Sequence, residues 1–508
     1  MARAREACIS CKTRKKKCNK AFPSCSYCIQ KDLDCKYISA PRRRNHVVST
    51  NGGSSNASSI RREMPSTELV SIPTPSDTTL FESVTTTTKT SLYRPVWERS
   101  NQLHIEIQDI IRSTGQFVDD ITARYFQTFH RHLPIILRTR FQKSLIASPL
   151  GPSTDSSVLL LSICLIASLP NPGHSSADEE TPAISRKSLY LVTKAIIAQV
   201  QGCLPPSVHL IQANILLAVY EYADGRPEAA FLTITGCARM AYAARLHDRT
   251  RHHVDTGIQI EAQEADNTWW GIVIYERALF CEVSVFEQPL VTTLPPKDAK
   301  LPIEWDILDR ADLISPNSMP DIPASCLDWP KIGCFGRTAQ ATCLVDQVIK
   351  GLSIPDLDSR LRLLQDLDGA IQAFLALILP QCQGKPGVYC AAIALAVRGL
   401  FTLHGHVLDI PQQAISSGFR SLEEWKKSSL AALDTSTIMA IDIAECHHVR
   451  VPPDLIHITP PSHSYMVRAA IQHMHTRPFD GTIPWSEASK DQLRLYLDKF
   501  CRHWDVTD

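Results

Sequence analysis

Cys8-Ile9-Ser10-Cys11-Lys12-Thr13-Arg14-Lys15-Lys16-Lys17-Cys18 opens a stretch that continues through Cys25-Ser26-Tyr27-Cys28 to Cys35-Lys36-Tyr37. Its six cysteines follow the spacing C-x2-C-x6-C-x6-C-x2-C-x6-C, one unit written twice: a close pair, then a third cysteine seven residues on. A C-x2-C pair lets two thiolates grip one metal ion from a turn. The spacing predicts a short helix that carries the third cysteine of each unit back to the same metal. Two tetrahedral zinc ions need eight ligand positions and only six sulfurs are present, so two thiolates must bridge. The window is too short for a hydrophobic core. Metal binding must therefore supply its folding free energy, on the order of 10 kcal/mol or more per site.

The residues between these cysteines are as one-sided as the spacing. Residues 1–44 hold thirteen Lys/Arg against three Asp/Glu, a net of +10, while the chain of 508 residues totals +1, leaving −9 for the remaining 464. A small basic module thus precedes a large, mildly acidic body, which points to a polyanionic partner. A solvated face normally mixes signs. Lys12, Arg14, Lys15, Lys16 and Lys17 do not, and phosphate neutralisation accounts for them, with a helix end free to enter the major groove. The competing reading is a zinc module that only stabilises a fold or grips protein; the unmixed cations favour nucleic acid.

Residues 8–37 resemble the fungal binuclear zinc-cluster domain. The resemblance rests on the cysteine spacing, Ala7-Cys8, the Arg14-Lys15-Lys16-Lys17-Cys18 run, Phe22-Pro23-Ser24-Cys25 and Cys35-Lys36-Tyr37. It implies two zinc ions per chain, one on Cys8, Cys11, Cys18 and Cys25, the other on Cys25, Cys28, Cys35 and Cys8, with Cys8 and Cys25 bridging. It also implies that Arg14 and Lys15 contact bases of a CGG triplet in double-stranded DNA. Arg or Lys to guanine O6/N7 is the commonest specific contact, so the chemistry agrees. Lys12, Lys16, Lys17, Lys20 and Lys36 are the candidates for phosphate contact, which positions without specifying. Arg42-Arg43-Arg44 reads as a run that tracks the phosphate backbone or serves nuclear import, against the alternative of a solvated charge run.

Residues 45–100 are a different material. Ser49-Thr50-Asn51-Gly52-Gly53-Ser54-Ser55-Asn56, Pro73-Thr74-Pro75 and Thr85–Thr88 leave few apolar residues, so a disordered Ser/Thr/Pro-rich linker is expected. No apolar seam repeats every 3.5 residues, and Pro65, Pro73 and Pro75 would break a helix reaching them. Any homodimer is therefore assigned to the helical body.

From residue 101 to 508 the pattern is helical. Phe117, Ile121, Tyr125, Phe126 and Phe129 recur at spacings of three and four, with Asp119 and Asp120 suited to a first turn. Val208–Tyr222, Ala229–Leu246, Asp266–Val283, Thr338–Ile349, Ser359–Leu379, Tyr389–Leu403, Ser462–His475 and Lys490–Trp504 read likewise. The text resembles the fungal-specific regulatory, or middle homology, domain through Tyr125-Phe126, His132-Leu133-Pro134-Ile135-Ile136, Gly236-Cys237-Ala238-Arg239-Met240-Ala241 and Trp269-Trp270 followed by Glu276-Arg277. That resemblance implies an all-α domain regulating DNA binding or transcription. Trp269, Ile272, Val273, Leu279, Phe280 and Val283 read as core packing rather than a ligand pocket. Whether Glu276 and Arg277 form a buried pair is open at this stage.

Other classes fall away. Met1 is followed by Ala-Arg-Ala-Arg-Glu with no apolar h-region, so no secretory signal is expected and the cysteines should be unpaired thiols in a reducing compartment. The longest apolar run, Ser157–Leu169, is too short for a bilayer and reads as a core helix, and no membrane partner is expected. The histidines show no H-E-x-x-H, and the Walker, Rossmann and nucleophile-elbow glycine motifs are missing, so an enzyme is not expected. The fold class is then a small zinc-stabilised N-terminal module, a flexible linker and a large all-α regulatory domain. The function is a nuclear, sequence-specific transcription factor that engages the transcription machinery. The resemblance implies targets such as metabolic or secondary-metabolite gene clusters. The alternative is a ligand- or protein-binding module whose zinc cluster is mainly structural.

Overall fold

The computed structural model describes residues 7–14, 16–21, 24–31, 33, 35–36, 96–146, 151–168, 184–248, 259–283, 289–295, 299–310, 322–329, 331–382, 387–411, 422–451, 459–477 and 483–504. The linker expected over residues 45–100 lies outside them up to residue 95. The chain divides into two units, Met1–Leu80 and Phe81–Asp508. The first contains two short helices, α1 (Ile9–Thr13) and α2 (Ser26–Gln30). The second is helical throughout. Among the described residues there is no strand, only an isolated bridge between Lys300 and Pro323.

The second unit is built around helices buried on every side. In α6 (Thr154–Ala167) every residue except Asp155 is buried. In α8 (Val208–Ala223) everything from His209 onward is buried, its polar Gln212, Asn214 and Glu221 each hydrogen-bonded to neighbouring helices. These two helices pack on each other. Their inward hydroxyls bond back within the helix, as Ser162 Oγ does to the Val158 carbonyl at 3.1 Å. Around α6 stand α3 (Val96–Ser113), α4 (Val118–Gln127), α5 (Arg138–Ile146) and α7 (Arg186–Cys203), and α9 (Pro227–Ala243) covers α8. Ser185 caps α7 and Ser207 caps α8 through backbone N–H bonds of 3.1 and 3.2 Å.

Helix α10 (Gln259–Phe280) then packs on both α8 and α12 (Cys334–Leu352), after the single turn α11 (Trp305–Leu308). The remaining helices, α13 (Leu357–Ile378), α14 (Cys390–Asp409), α15 (Leu422–Arg450), α16 (Pro461–Thr476) and α17 (Glu487–Trp504), complete the same core. Helices α12 and α14 approach closely because Gly399 carries no side chain: a Cβ there would meet Val345 Cγ2 at 3.1 Å. Two stretches, Leu357–Cys382 and Cys390–Asp409, are long and apolar enough to cross a membrane, which the run at Ser157–Leu169 did not foreshadow. Helix α14 spends that apolarity inside the core, with residues such as Leu395, Val397 and Leu403 buried. Helix α13 buries a stripe through Leu361, Leu364, Leu367, Ile371 and Phe374 while carrying Asp358, Arg360, Arg362 and Asp366 elsewhere.

Some helices differ from the sequence pattern. Helix α3 starts at Val96, inside the stretch assigned to the linker. Phe117, expected on the apolar face of α4, is its N-cap and is 73% exposed. Helices α5, α7 and α15 were not expected. The inner face of α15 runs Ser429, Leu433, Ser436, Thr437, Ala440 and Ala444, too polar and small to register as an apolar stripe. Glu276 and Arg277, left open by sequence, are both wholly buried. Arg277 donates to Glu276 Oε2 at 2.7 Å, to Asp346 Oδ1 at 3.0 and 3.1 Å, and to the Thr292 carbonyl at 2.7 Å. Glu276 Oε1 accepts the Val291 N–H at 2.6 Å, so the pair clamps the 291–292 backbone onto α10 and α12. Trp270 is also fully buried, its Nε1 donating to the Lys300 carbonyl at 3.3 Å.

All eight tryptophans lie beyond residue 95, so their fluorescence reports on the helical unit alone. Trp270→Ala should destabilise it by about 3–5 kcal/mol through the cavity left behind. Arg277→Ala should cost about 3–5 kcal/mol by stranding Glu276 and Asp346. Both are checked by urea denaturation; a shift below 1 kcal/mol would mean the side chain is not where the core depends on it. Burial holds His447 down to about 4 and His463 well below the usual imidazole range. The unfolded state therefore takes up protons that the folded state does not. These groups contribute nothing to the pH dependence above about pH 6.5 and should lower stability steadily as pH falls from there towards 4. Denaturation midpoints at pH 7.5 and 5.0 measure this, and His447→Gln should reduce the difference.

Candidate metal centre and nucleic-acid interface

The two short helices of the first unit are built alike. Cys8 and Cys25 are their N-caps, with φ/ψ of −62/157 and −75/152. Lys12 N–H bonds the Cys8 carbonyl at 2.9 Å and Ile29 N–H the Cys25 carbonyl at 3.0 Å. Both helices end the same way, with Lys16 N–H on the Cys11 carbonyl and Leu33 N–H on the Cys28 carbonyl, each at 2.9 Å. Every one of these pairs is related by seventeen residues, the offset that also relates Cys8 to Cys25, Cys11 to Cys28 and Cys18 to Cys35.

This geometry brings the sulfurs together. Cys8 Sγ lies 3.7 Å from Cys25 Sγ, 3.6 Å from Cys28 Sγ and 4.0 Å from Cys18 Sγ, and Cys11 Sγ lies 3.6 Å from Cys25 Sγ. Four sulfurs at tetrahedral zinc, with Zn–S near 2.3 Å, are about 3.8 Å apart. Two groups have the four-ligand arrangement, Cys8 with Cys11, Cys18 and Cys25, and Cys8 with Cys25, Cys28 and Cys35; Cys8 and Cys25 belong to both. Cys8, Cys11, Cys25 and Cys28 are buried and Cys18 and Cys35 half-buried. Cys25 Sγ accepts the Cys28 N–H at 3.4 Å and Cys35 Sγ the Cys25 N–H at 3.2 Å, contacts that favour thiolate. Burial nevertheless pushes the thiols of Cys8 and Cys28 up, and that of Cys11 up to about 12. Only a bound cation can hold so many thiolates at neutral pH. The donor set fits zinc.

The cations between Cys11 and Cys18 are not carried on one helix. Helix α1 ends at Thr13 with Arg14 as its C-cap, so only Lys12 lies within it, and Lys16 and Lys17 follow. The reason is the metal spacing. A helix continued for seven residues rises about 10.5 Å, which would carry Cys18 away from the sulfurs it has to join. Lys12, Arg14, Lys16, Lys17 and Lys36 are exposed and Lys20 is half-buried. Lys15, Arg42, Arg43 and Arg44 lie outside the described residues. A residue the sequence reading missed is Asn19. Its Oδ1 accepts the Ser26 N–H at 3.0 Å and its Nδ2 donates to Ser26 Oγ, fastening the turn after Cys18 to the start of α2. Asn directly after a ligand cysteine, a residue that readily satisfies turn backbone, was the available signal. Lys20 beside it adopts a left-handed φ of 59°.

Comparison with known proteins agrees with this geometry. Residues 6–45 match the model of the fungal Zn(2)-Cys(6) binuclear cluster domain, and residues 122–284 that of the fungal specific transcription factor domain. The transcription factor BOA15 of Botryotinia fuckeliana is 33% identical over 133 residues, covering 26% of this chain and 69% of the relative. No solved structure matches the chain. The cluster domain takes two zinc ions on six cysteines, and its coupling to the helical regulatory domain is the arrangement of a non-enzymatic DNA-binding regulator of transcription. The duplicated cysteine unit and the helical body behind it therefore place this chain in the family of fungal Zn(2)-Cys(6) binuclear-cluster transcription factors.

Proposed function

We propose that this chain is a nuclear regulator that reads CGG-containing sites in double-stranded DNA. Its zinc ions are held by Cys8, Cys11, Cys18 and Cys25 and by Cys25, Cys28, Cys35 and Cys8. Arg14 and Lys15 contact guanine edges, and Lys12, Lys16, Lys17, Lys20, Lys36 and Arg42–Arg44 neutralise phosphates. The carrying observation is the loop anchored at Cys11 and Cys18. Every charged side chain in it is a cation, and Lys12, Arg14, Lys16 and Lys17 all reach solvent. Residues 1–44 form the DNA module, the body starts at α3, and any homodimer forms through that body. The promoters of a metabolic gene cluster are the proposed targets.

Metal analysis of residues 1–44 should give a zinc-to-protein ratio near two. Cys25→Ala removes a shared ligand and should unfold the module, whereas Cys343→Ala in the full chain should leave zinc content unchanged. A ratio near one would sink the shared-ligand arrangement.

Lys15→Ala should cost about 1–3 kcal/mol on a CGG site and relax preference there. Lys17→Ala should weaken binding to all sequences alike and reduce the salt slope by about one. Fluorescence anisotropy against CGG and scrambled duplexes over a salt series measures both. Equal losses on both duplexes for both variants would refute this division of labour.

A further inference from the structure

Far from the zinc module in sequence, Cys382 closes the short helical turn Pro380–Cys382 after α13 and Cys390 opens α14. Their sulfurs bond two adjacent backbone residues, Val388 and Gly387. Cys382 Sγ, half-buried at the end of a short helical turn, donates to the Val388 carbonyl at 3.4 Å. Cys390 Sγ, on the first residue of α14, accepts the Gly387 N–H at 3.2 Å and lies 3.2 Å from His447 Nε2. Burial raises Cys390 to about 12 and lowers His447 to about 4. At neutral pH the resting pair is therefore a thiol beside a neutral imidazole, which accepts the thiol proton at Nε2 in its Nδ1–H tautomer.

We propose that Cys382 and Cys390 are an oxidant-sensitive pair that a peroxide joins as a disulfide. Burial raises the Cys382 thiol, so the attack runs through its minor thiolate: the thiol proton passes to solvent, the thiolate sulfur attacks a peroxide oxygen, the O–O bond breaks, and a sulfenic acid forms while the departing hydroxide takes up a proton as water (an alcohol, if the peroxide is organic). Cys390 Sγ then attacks the Cys382 sulfur, its proton passing to His447 and on to the departing hydroxide, which leaves as water. Two thiols and one hydrogen peroxide give one disulfide and two waters. What sets this pair apart among the body cysteines is contact with two adjacent backbone residues and a neighbouring imidazole. In a reducing compartment such a bond is transient and reports oxidant.

The test uses the full zinc-loaded chain. Because Lys385 precedes Pro386, trypsin leaves Cys382 and Cys390 together in one peptide with no other cysteine. After graded hydrogen peroxide and alkylation of free thiols, that peptide should lose two hydrogens and both alkyl groups together, and dithiothreitol should restore them. Zinc should still be bound at that dose. In Cys382→Ser, Cys390 should remain alkylatable under the same treatment. The proposal is overturned if Cys382 and Cys390 stay free after the exposed Cys203 is fully oxidised. It is equally overturned if Cys390 is found linked to Cys334 or Cys446, or if zinc is lost before any two-hydrogen loss.

Discussion

Two sulfurs, those of Cys8 and Cys25, each belong to two four-cysteine groups at once, and the first unit depends on that sharing. Among its described residues there is no apolar core to fall back on; the buried ones are cysteines. Cys8 and Cys25 are also the N-cap residues of the two helices, and the Cys25 sulfur itself accepts the Cys28 N–H. From this follows the position of the cations. The chain must leave α1 after Thr13 to return Cys18, and in doing so it exposes Arg14, Lys16 and Lys17 on a loop tied down at both ends. A flexible basic tail would bind phosphate as well, but a fixed loop can present particular side chains to particular bases.

The helical body rests on different physics. Its central helices α6 and α8 are buried on every side, and buried charges such as Glu221, Glu264 and Arg277 are compensated at close range. Arg277 is the clearest case: one guanidinium reaches Glu276, Asp346 and the Thr292 carbonyl, tying α10, α12 and the 291–292 segment together. Such a pair is no bargain energetically compared with an apolar core, but its removal strands two carboxylates.

How much of this could be read beforehand varied with how local the determining chemistry is. The six ligand cysteines were legible because metal coordination demands one residue type at fixed spacing. The extent of α1 was not, since where the helix stops is set by the return of Cys18. Helix α8 was legible from apolar residues recurring at spacings of three and four, whereas α15, the longest of the described helices, hid behind an inner face of Ser429, Ser436, Thr437, Ala440 and Ala444. Phe117 misled because apolar spacing cannot tell a helix residue from the cap just outside it. Glu276 and Arg277 are adjacent and so point to different sides of α10; both are buried only because the helix is surrounded, which one sequence window does not contain.

X-ray absorption at the zinc edge tests the central claim most directly. Shared thiolates predict four sulfurs at about 2.3 Å around each zinc and a second zinc at about 3 Å, the separation set by two tetrahedra sharing the Cys8–Cys25 edge. A full sulfur shell with no metal neighbour, or a first shell mixed with nitrogen or oxygen, would contradict it.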